Sequence, residues 1–274
     1  MFPLTNKMEY EHRKRKRELE ISIIIDTIKH YLYCKNAYND NKFNILEFGC
    51  GDGFQISFLN KLGNLTVCDI YKSINVQKMI DVKFIQCGIT KTPFEDNHFD
   101  LIFSNHVIEH IEEIEVAASE MIRIGKHDCL FAFSVPTRMW LMLSIPAQYY
   151  MRFNAIAQKL LHKTWKIKDV NVLIEKNEYF KKEQHMMVKK LYQKLLPGGH
   201  GIYQKFFEAY RYFGKNSWKR FFHLHGFIII EIKPLLLYGP SEWPIIPTNK
   251  LFAKYGICSS RLFILKPNSG NTRK

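Results

Sequence analysis

Three glycines at alternate positions, Gly49, Gly51 and Gly53, stand in the segment Glu47-Phe48-Gly49-Cys50-Gly51-Asp52-Gly53-Phe54. Glycine lets a backbone turn tightly and lets a ligand approach without meeting a Cβ. A helix that follows such a turn offers unpaired N–H groups and a partly positive end. Asp69 closes the next apolar run, Leu65-Thr-Val-Cys-Asp69. A carboxylate placed there can accept hydrogen bonds from two ribose hydroxyls. The set suits an adenosine-type cofactor. A dinucleotide fingerprint would require G-x-G-x-x-G. Here the glycines run G-x-G-x-G and Phe54 takes the sixth position, which speaks against a nicotinamide dinucleotide. A plain structural turn is the remaining alternative.

Three histidines form a second set. His106 and His110 follow the apolar run Phe99-Asp-Leu-Ile-Phe-Ser104, at the strand edge where open α/β sheets bind ligands. His200 sits in Pro197-Gly-Gly-His-Gly-Ile-Tyr203, a glycine loop suited to closing over a substrate. Each could act as the general base that an oxygen nucleophile requires. Plainer readings stand beside these: His106 as a helix-start residue, Glu109-His110 as a structural pair, and the glycine loop as a simple connection. The six cysteines show no C-x-x-C pair and no histidine at zinc-ligand spacing, so they read as reduced thiols and no metal site is expected.

The elements that must position these residues follow from the hydrophobic pattern. Ile21, Ile24, Ile25, Ile28 and Leu32 make one helical stripe. Apolar runs at 44–49, 65–69, 82–89, 99–104 and 129–135 read as strands. Helices are expected at 54–62, closed by Gly63, at 72–80 and at 107–124. Alternation of this kind implies parallel strands with right-handed crossovers. Their nearly continuous apolar character implies that both sheet faces are covered. Runs at 227–232 and 261–265 supply two further strands, and residues 268–274 read as a frayed tail.

Taken in order, these motifs resemble the class I S-adenosylmethionine-dependent methyltransferases of the type 11 kind. Ile45-Leu-Glu-Phe-Gly-Cys-Gly-Asp-Gly53 is similar to their first motif. Thr92-Pro-Phe-Glu-Asp-Asn-His-Phe-Asp-Leu-Ile-Phe-Ser-Asn-His-Val-Ile-Glu-His110 is similar to their third and fourth. The resemblance covers about residues 43–137. It implies an α/β, Rossmann-like fold with a seven-stranded, mostly parallel sheet and helices on both faces. It implies S-adenosylmethionine as cofactor, with Glu47 and the turn of Gly49, Cys50, Gly51 and Gly53 holding the methionine part. Asp69 would hold the ribose, Ile70 and Ile89 would flank the adenine, and Ser104 and Asn105 would line the path to the acceptor. The family often has an acidic residue where this chain has Gly88, so adenine contacts there would fall to the backbone. Methyl transfer from a sulfonium is an in-line displacement in which the protein mainly aligns the nucleophile and excludes water.

Three regions are expected: an N-terminal helix and cofactor core at 1–137, a helical insertion before strand six at 138–225, and terminal strands at 226–274. Net charge separates them. Residues 41–137 carry −5 and residues 138–225 carry +12 of the chain's total of +14. An anionic partner would meet the insertion. Met139 to Met151 begins almost wholly apolar and ends aromatic, as a segment lying at a membrane surface would. Basic and aromatic residues together also suit nucleic acid. Against that, the chain lacks the N/D-P-P-aromatic motif of base amino-methyltransferases and any recognisable RNA-binding module. A looser resemblance, through His200-Gly201, Phe206 to Phe227 and Pro234 to Tyr238, is to methyltransferases of bacterial cell-surface saccharide biosynthesis. It favours O-methylation of a saccharide, lipid-linked or anionic small molecule. Methylation of RNA, and a protein that binds the cofactor without transfer, are the alternatives. The N-terminus lacks the order of a secretory leader, so a cytoplasmic protein, or one peripheral to the inner membrane face, is expected.

Overall fold

The computed structural model describes residues 6–35, 42–79, 82–163, 198–239 and 251–268. Helix α1 (Asn6–Lys35) opens the chain. Then come β1 (Phe43–Phe48), α2 (Ile56–Leu59), β2 (Gly63–Asp69), α3 (Ile74–Gln77), β3 (Lys83–Gln86) and β4 (Phe99–Asn105). A 3-10 turn at Ile108–His110 leads to α4 (Ile114–Ile124), β5 (Gly125–Pro136) and α5 (Arg138–Lys163). After the loop at 198–205 come α6 (Phe206–Tyr212), α7 (Lys215–Leu224), β6 (Phe227–Pro234), α8 (Leu251–Lys254) and β7 (Ser260–Pro267).

The seven strands form one sheet in the order β3-β2-β1-β4-β5-β7-β6. The first five run parallel, and β7 inserts antiparallel between β5 and β6. The order reverses between β1 and β4, which makes their carboxyl ends the switch point where such sheets take ligands. Each face carries its own core. One joins Leu46, Phe48, Ile102, Phe131 and Phe133 to Trp218 and Phe222 of α7. The other joins Ile45, Val67, Leu101 and Phe103 to α1. The expected stripe of α1 is that contact: Ile21, Ile24, Ile25, Ile28 and Leu32 are all buried.

The helices on the cofactor side are shorter than the periodicity suggests. The helix expected at 54–62 is a single turn, and that at 72–80 covers Ile74–Gln77, with Ile80 outside the described residues. Gly63 is not a helix cap but the first residue of β2, paired with Phe43 of β1. A Cβ there would lie 2.2 Å from the Phe43 carbonyl oxygen, so close strand approach is what requires glycine. The helix expected at 107–124 is broken at residues 111–113, leaving the 3-10 turn and α4. The described cysteines Cys50, Cys68, Cys87, Cys129 and Cys258 are free thiols. Among the described residues no helix is long and apolar enough to cross a membrane.

Substituting Gly63→Ala should force β1 and β2 apart and cost about 2 kcal/mol, as overpacking does. The melting temperature, followed by circular dichroism, should fall by roughly 5 °C. An unchanged melting temperature would show that the strand pair tolerates the methyl group.

Candidate active site at the carboxyl edge of the sheet

The turn after β1 is built from left-handed glycines. Gly49, Gly51 and Gly53 have φ of +71°, +53° and +79°, a region that suits glycine. The Gly49 and Cys50 N–H groups both donate to the Cys68 carbonyl, at 2.8 and 3.3 Å, tying the turn to β2. The three glycines answer different demands. A Cβ on Gly49 would lie 2.4 Å from Val107 Cγ2, and one on Gly53 would lie 2.8 Å from Val76 Cγ2. A Cβ on Gly51 would meet none of the described residues within 4 Å, so there only its φ calls for glycine. Asp69 leaves β2 beside it. Its carboxylate accepts from the Gly51 N–H at 2.9 Å and from the Tyr71 N–H at 3.3 Å. Ile70 is exposed and lies 4.0 Å from where a Gly88 side chain would start, while Ile89 is buried.

Unpaired polar atoms gather at this edge. Glu47 Oε2, Ser104 Oγ, Asn105 Oδ1 and Ser134 Oγ are buried without a hydrogen-bond partner among the described residues. They belong to the last three residues of β1, β4 and β5. Native interiors leave few such groups, and those that occur call for an explanation. Burial, reinforced by Asp52 and Asp69 and opposed by Arg17, pushes the Glu47 carboxyl well above the usual carboxylate range.

Helix α1 closes over the turn, a feature the sequence did not announce. Arg17 grips Asp52 with two nitrogens at 2.6 and 2.7 Å, and its guanidinium lies 4.0 Å from the centre of the Phe54 ring. Beneath α1, Arg13, Lys14, Arg17, Asp52, Gly53 and Met79 border a cavity of about 430 Å³. A second cleft, about 590 Å³, lies among Lys42, Asn44, Gly63 and His98 at the opposite, amino ends of the strands. It is away from the groups that can do chemistry.

All three candidate histidines converge beyond β4. His106 has φ +57°, a strained conformation for a residue other than glycine and one that clusters at functional sites. Its backbone N–H donates to the Ser134 carbonyl at 2.9 Å. Its ring is held on both sides: Nδ1 is 3.4 Å from Glu109 Oε1, and Nε2 is 3.4 Å from the Tyr238 hydroxyl. Burial depresses its pKa, but Glu109 and Glu20 outweigh burial and the net shift is upward. Tyr238 also meets Glu20 of α1 at 3.3 Å and Ser260 of β7 at 3.2 Å. His200 comes from the far side of the insertion, yet its Nε2 is 3.7 Å from Glu109 Oε1 and its ring is 4.8 Å from that of His110. The glycine loop is pinned there: the Ile202 N–H donates to the Glu109 carbonyl at 2.9 Å. The sequence marks Glu109 only as half of a structural pair with His110 and gives Tyr238 no role of its own. The spacing of His106 and Glu109, three apart, was the available clue.

Residues 46–133 match the protein family described as "Methyltransferase domain". Over 98 residues, 35% of this chain, the sequence is 33% identical to an uncharacterized protein of Methanocaldococcus jannaschii. The matched region spans 42% of that relative's length. In fold, the chain is similar to 1,6-didemethyltoxoflavin-N1-methyltransferase of Burkholderia thailandensis, solved with 1,6-didemethyltoxoflavin and S-adenosylhomocysteine bound. The TM-score is 0.50 at 11% identity, covering 98% of this chain and 93% of that one. A SAM-dependent methyltransferase of Thermotoga maritima, described as a possible histamine N-methyltransferase, gives 0.50 at 15% identity and 96% coverage of both chains. At such identities the likeness is one of fold. It is over residues 46–133, about a third of the chain, that the sequence is similar to the methyltransferase-domain family. The seven-stranded sheet, with β7 antiparallel between β5 and β6, is the part of the chain that carries the likeness of fold.

Burial raises the Glu47 carboxyl, so an ammonium group bound beside it should lower its pKa again. Between the usual carboxylate range and its raised value, binding of S-adenosylhomocysteine should therefore release a proton and tighten as pH rises. Calorimetry in buffers of different ionisation heat reads this directly, and Glu47→Gln should abolish the buffer dependence. Equal apparent enthalpy in every buffer would remove Glu47 from the ligand's ammonium site.

Proposed function

We propose that the protein transfers the methyl group of S-adenosylmethionine to an oxygen of a small acceptor, a saccharide or another anionic or lipid-linked hydroxyl compound. One observation carries the proposal: the buried, unpaired polar atoms of Glu47, Ser104, Asn105 and Ser134 lie where the strand order reverses. They fit the cofactor, since a methionine moiety and a ribose would supply the partners they lack. Glu47 would take the ammonium, the Gly49–Gly53 turn the carboxylate end, Asp69 the ribose, and Ile70, Gly88 and Ile89 the adenine. When bound, the cofactor supplies an electrophilic methyl group that needs no activation by the protein.

The chain's own residues then have three tasks. The latch of Arg17 on Asp52 ties α1 to the turn. Ser104 and Asn105 face the path between donor and acceptor. The cluster of Glu109, His110 and His200 stands beyond them, at the place where an acceptor hydroxyl must lose its proton. His106, held on both sides and carrying a raised pKa, is a positioning residue for the Glu109 carboxylate rather than a free base. The preference for oxygen rests on this cluster, because an amine acceptor needs only to be neutral. The preference for an anionic acceptor rests on the charge of +12 over residues 138–225.

Incubation with methyl-labelled S-adenosylmethionine and separate pools of saccharides, lipid-linked saccharides and RNA tests the reading. Label should enter a saccharide-bearing pool as an alkali-stable ether. Label in RNA would replace this reading with the nucleic-acid one. Tight cofactor binding with no label in any pool would favour a protein that holds the cofactor without transfer.

A further inference from the structure

The Glu109 carboxylate raises a question that the cofactor pocket does not answer. Its side chain is fully buried, and among the described residues neither oxygen has a hydrogen-bond partner. An ionised carboxylate in that state is costly unless a cation or hydrogen-bond donors surround it. The contacts from His106 at 3.4 Å and His200 at 3.7 Å are charge contacts without hydrogen-bond geometry. His110 completes the surroundings: one ligand atom each from Glu109, His110 and His200 lie within 4.8 Å of one another.

The chain takes trouble to assemble this group. Glu109 and His110 stand on the 3-10 turn after β4, whereas His200 is 90 residues further on. Gly201, at φ +66°, lets the loop press against the turn; a Cβ there would lie 2.0 Å from the Glu109 carbonyl oxygen. The Tyr203 N–H donates to the His200 carbonyl at 3.3 Å and the Gly199 N–H to the Gln204 carbonyl at 2.9 Å, which holds the loop in a compact turn. Trp140 of α5 lies 4.6 Å from the His200 ring, centre to centre. His110 itself is exposed, so the cluster has a buried floor and an open side.

We infer that Glu109, His110 and His200 hold a divalent first-row transition-metal ion, with His106 fixing the carboxylate from behind. Two imidazole nitrogens and one carboxylate oxygen suit zinc, manganese, iron or cobalt better than magnesium or calcium, which favour all-oxygen sets. Three protein ligands with open positions are the arrangement of catalytic rather than structural sites. Metal–ligand bonds of about 2.0–2.2 Å require donor atoms closer together than in the present arrangement. Rotation of the His110 and His200 side chains about their χ angles supplies that movement.

This deepens the reading of the protein as an O-methyltransferase and rests on it for its consequence. The open positions would bind an acceptor oxygen directly. That selects a hydroxyl compound with a second oxygen placed to chelate, such as a vicinal diol or a hydroxy acid. An ion there also acidifies a bound hydroxyl, as it does bound water.

The test uses the full chain, stripped with a chelator and held with excess S-adenosylhomocysteine. Titration with Co²⁺ should show one ion per chain and visible d–d absorption bands, and Zn²⁺ should displace it. His110→Asn and His200→Asn should each weaken Co²⁺ binding tenfold or more, by analogy with the roughly 10–100-fold effect of altering even a ligand's supporting partner. Both variants should keep the wild-type affinity for S-adenosylhomocysteine, which shows that they fold. The loss of saturable Co²⁺ binding in the wild type, or binding that neither variant weakens, overturns the inference. The outcomes separate the two claims. Co²⁺ binding without S-adenosylhomocysteine binding would leave the metal site standing and remove the methyltransferase reading; the reverse result would do the opposite.

Discussion

The contact between Gly49 and Val107 fixes the relation between the two halves of the site. A methyl group on Gly49 would overlap Val107 Cγ2 at 2.4 Å, so the turn after β1 and the segment after β4 touch with no room to spare. That contact places the glycine turn beside the stretch that carries Asn105, His106, Glu109 and His110. Interiors packed at crystal-like density transmit such constraints rather than absorb them. The left-handed turn at His106 belongs to the same arrangement, because it redirects the chain from β4 into the 3-10 turn.

Helix α1 is the second organising element. Its buried stripe packs on one face of the sheet, and its polar residues reach over the carboxyl edge at two separate points. Arg17 holds Asp52 above the glycine turn. Glu20 holds Tyr238 and Ser260, and Tyr238 meets His106. Lys16 lies 4.1 Å from the centre of the Tyr238 ring. One helix therefore touches the glycine turn directly and His106 through Tyr238. A displacement of α1 would loosen both together.

The strands were legible because their apolar runs end in residues that cannot continue them, Gly49 after β1 and Pro136 at the end of β5. All seven lie where the apolar runs place them, and the glycine turn stands with Asp69 between β1 and β2. The short helices were not legible. The periodicity of residues 54–62 and 107–124 reports which side chains are buried, and burial here comes from turns packed on the sheet as well as from helix. Gly63 was misread because a glycine after an apolar run signals a helix cap as well as it signals close strand approach. The cluster around Glu109 was beyond the sequence for another reason. Spacing along the chain shows no metal-ligand pattern, since His200 reaches Glu109 only through the fold of the loop at 198–205. Residues 164–197, which carry Trp165, Tyr179 and Phe180 of the basic, aromatic stretch, lie outside the described residues.

The central claim is that the edge around Gly51 and Asp69 binds the methyl donor. Calorimetric titration of the wild type with S-adenosylhomocysteine, beside Asp69→Ala, tests it most directly. The account predicts saturable binding at one site, weakened at least tenfold in the variant, since about 1.4 kcal/mol of lost ribose contact corresponds to that factor. Wild-type protein that is folded yet binds no S-adenosylhomocysteine, or binding that Asp69→Ala leaves intact, would contradict it.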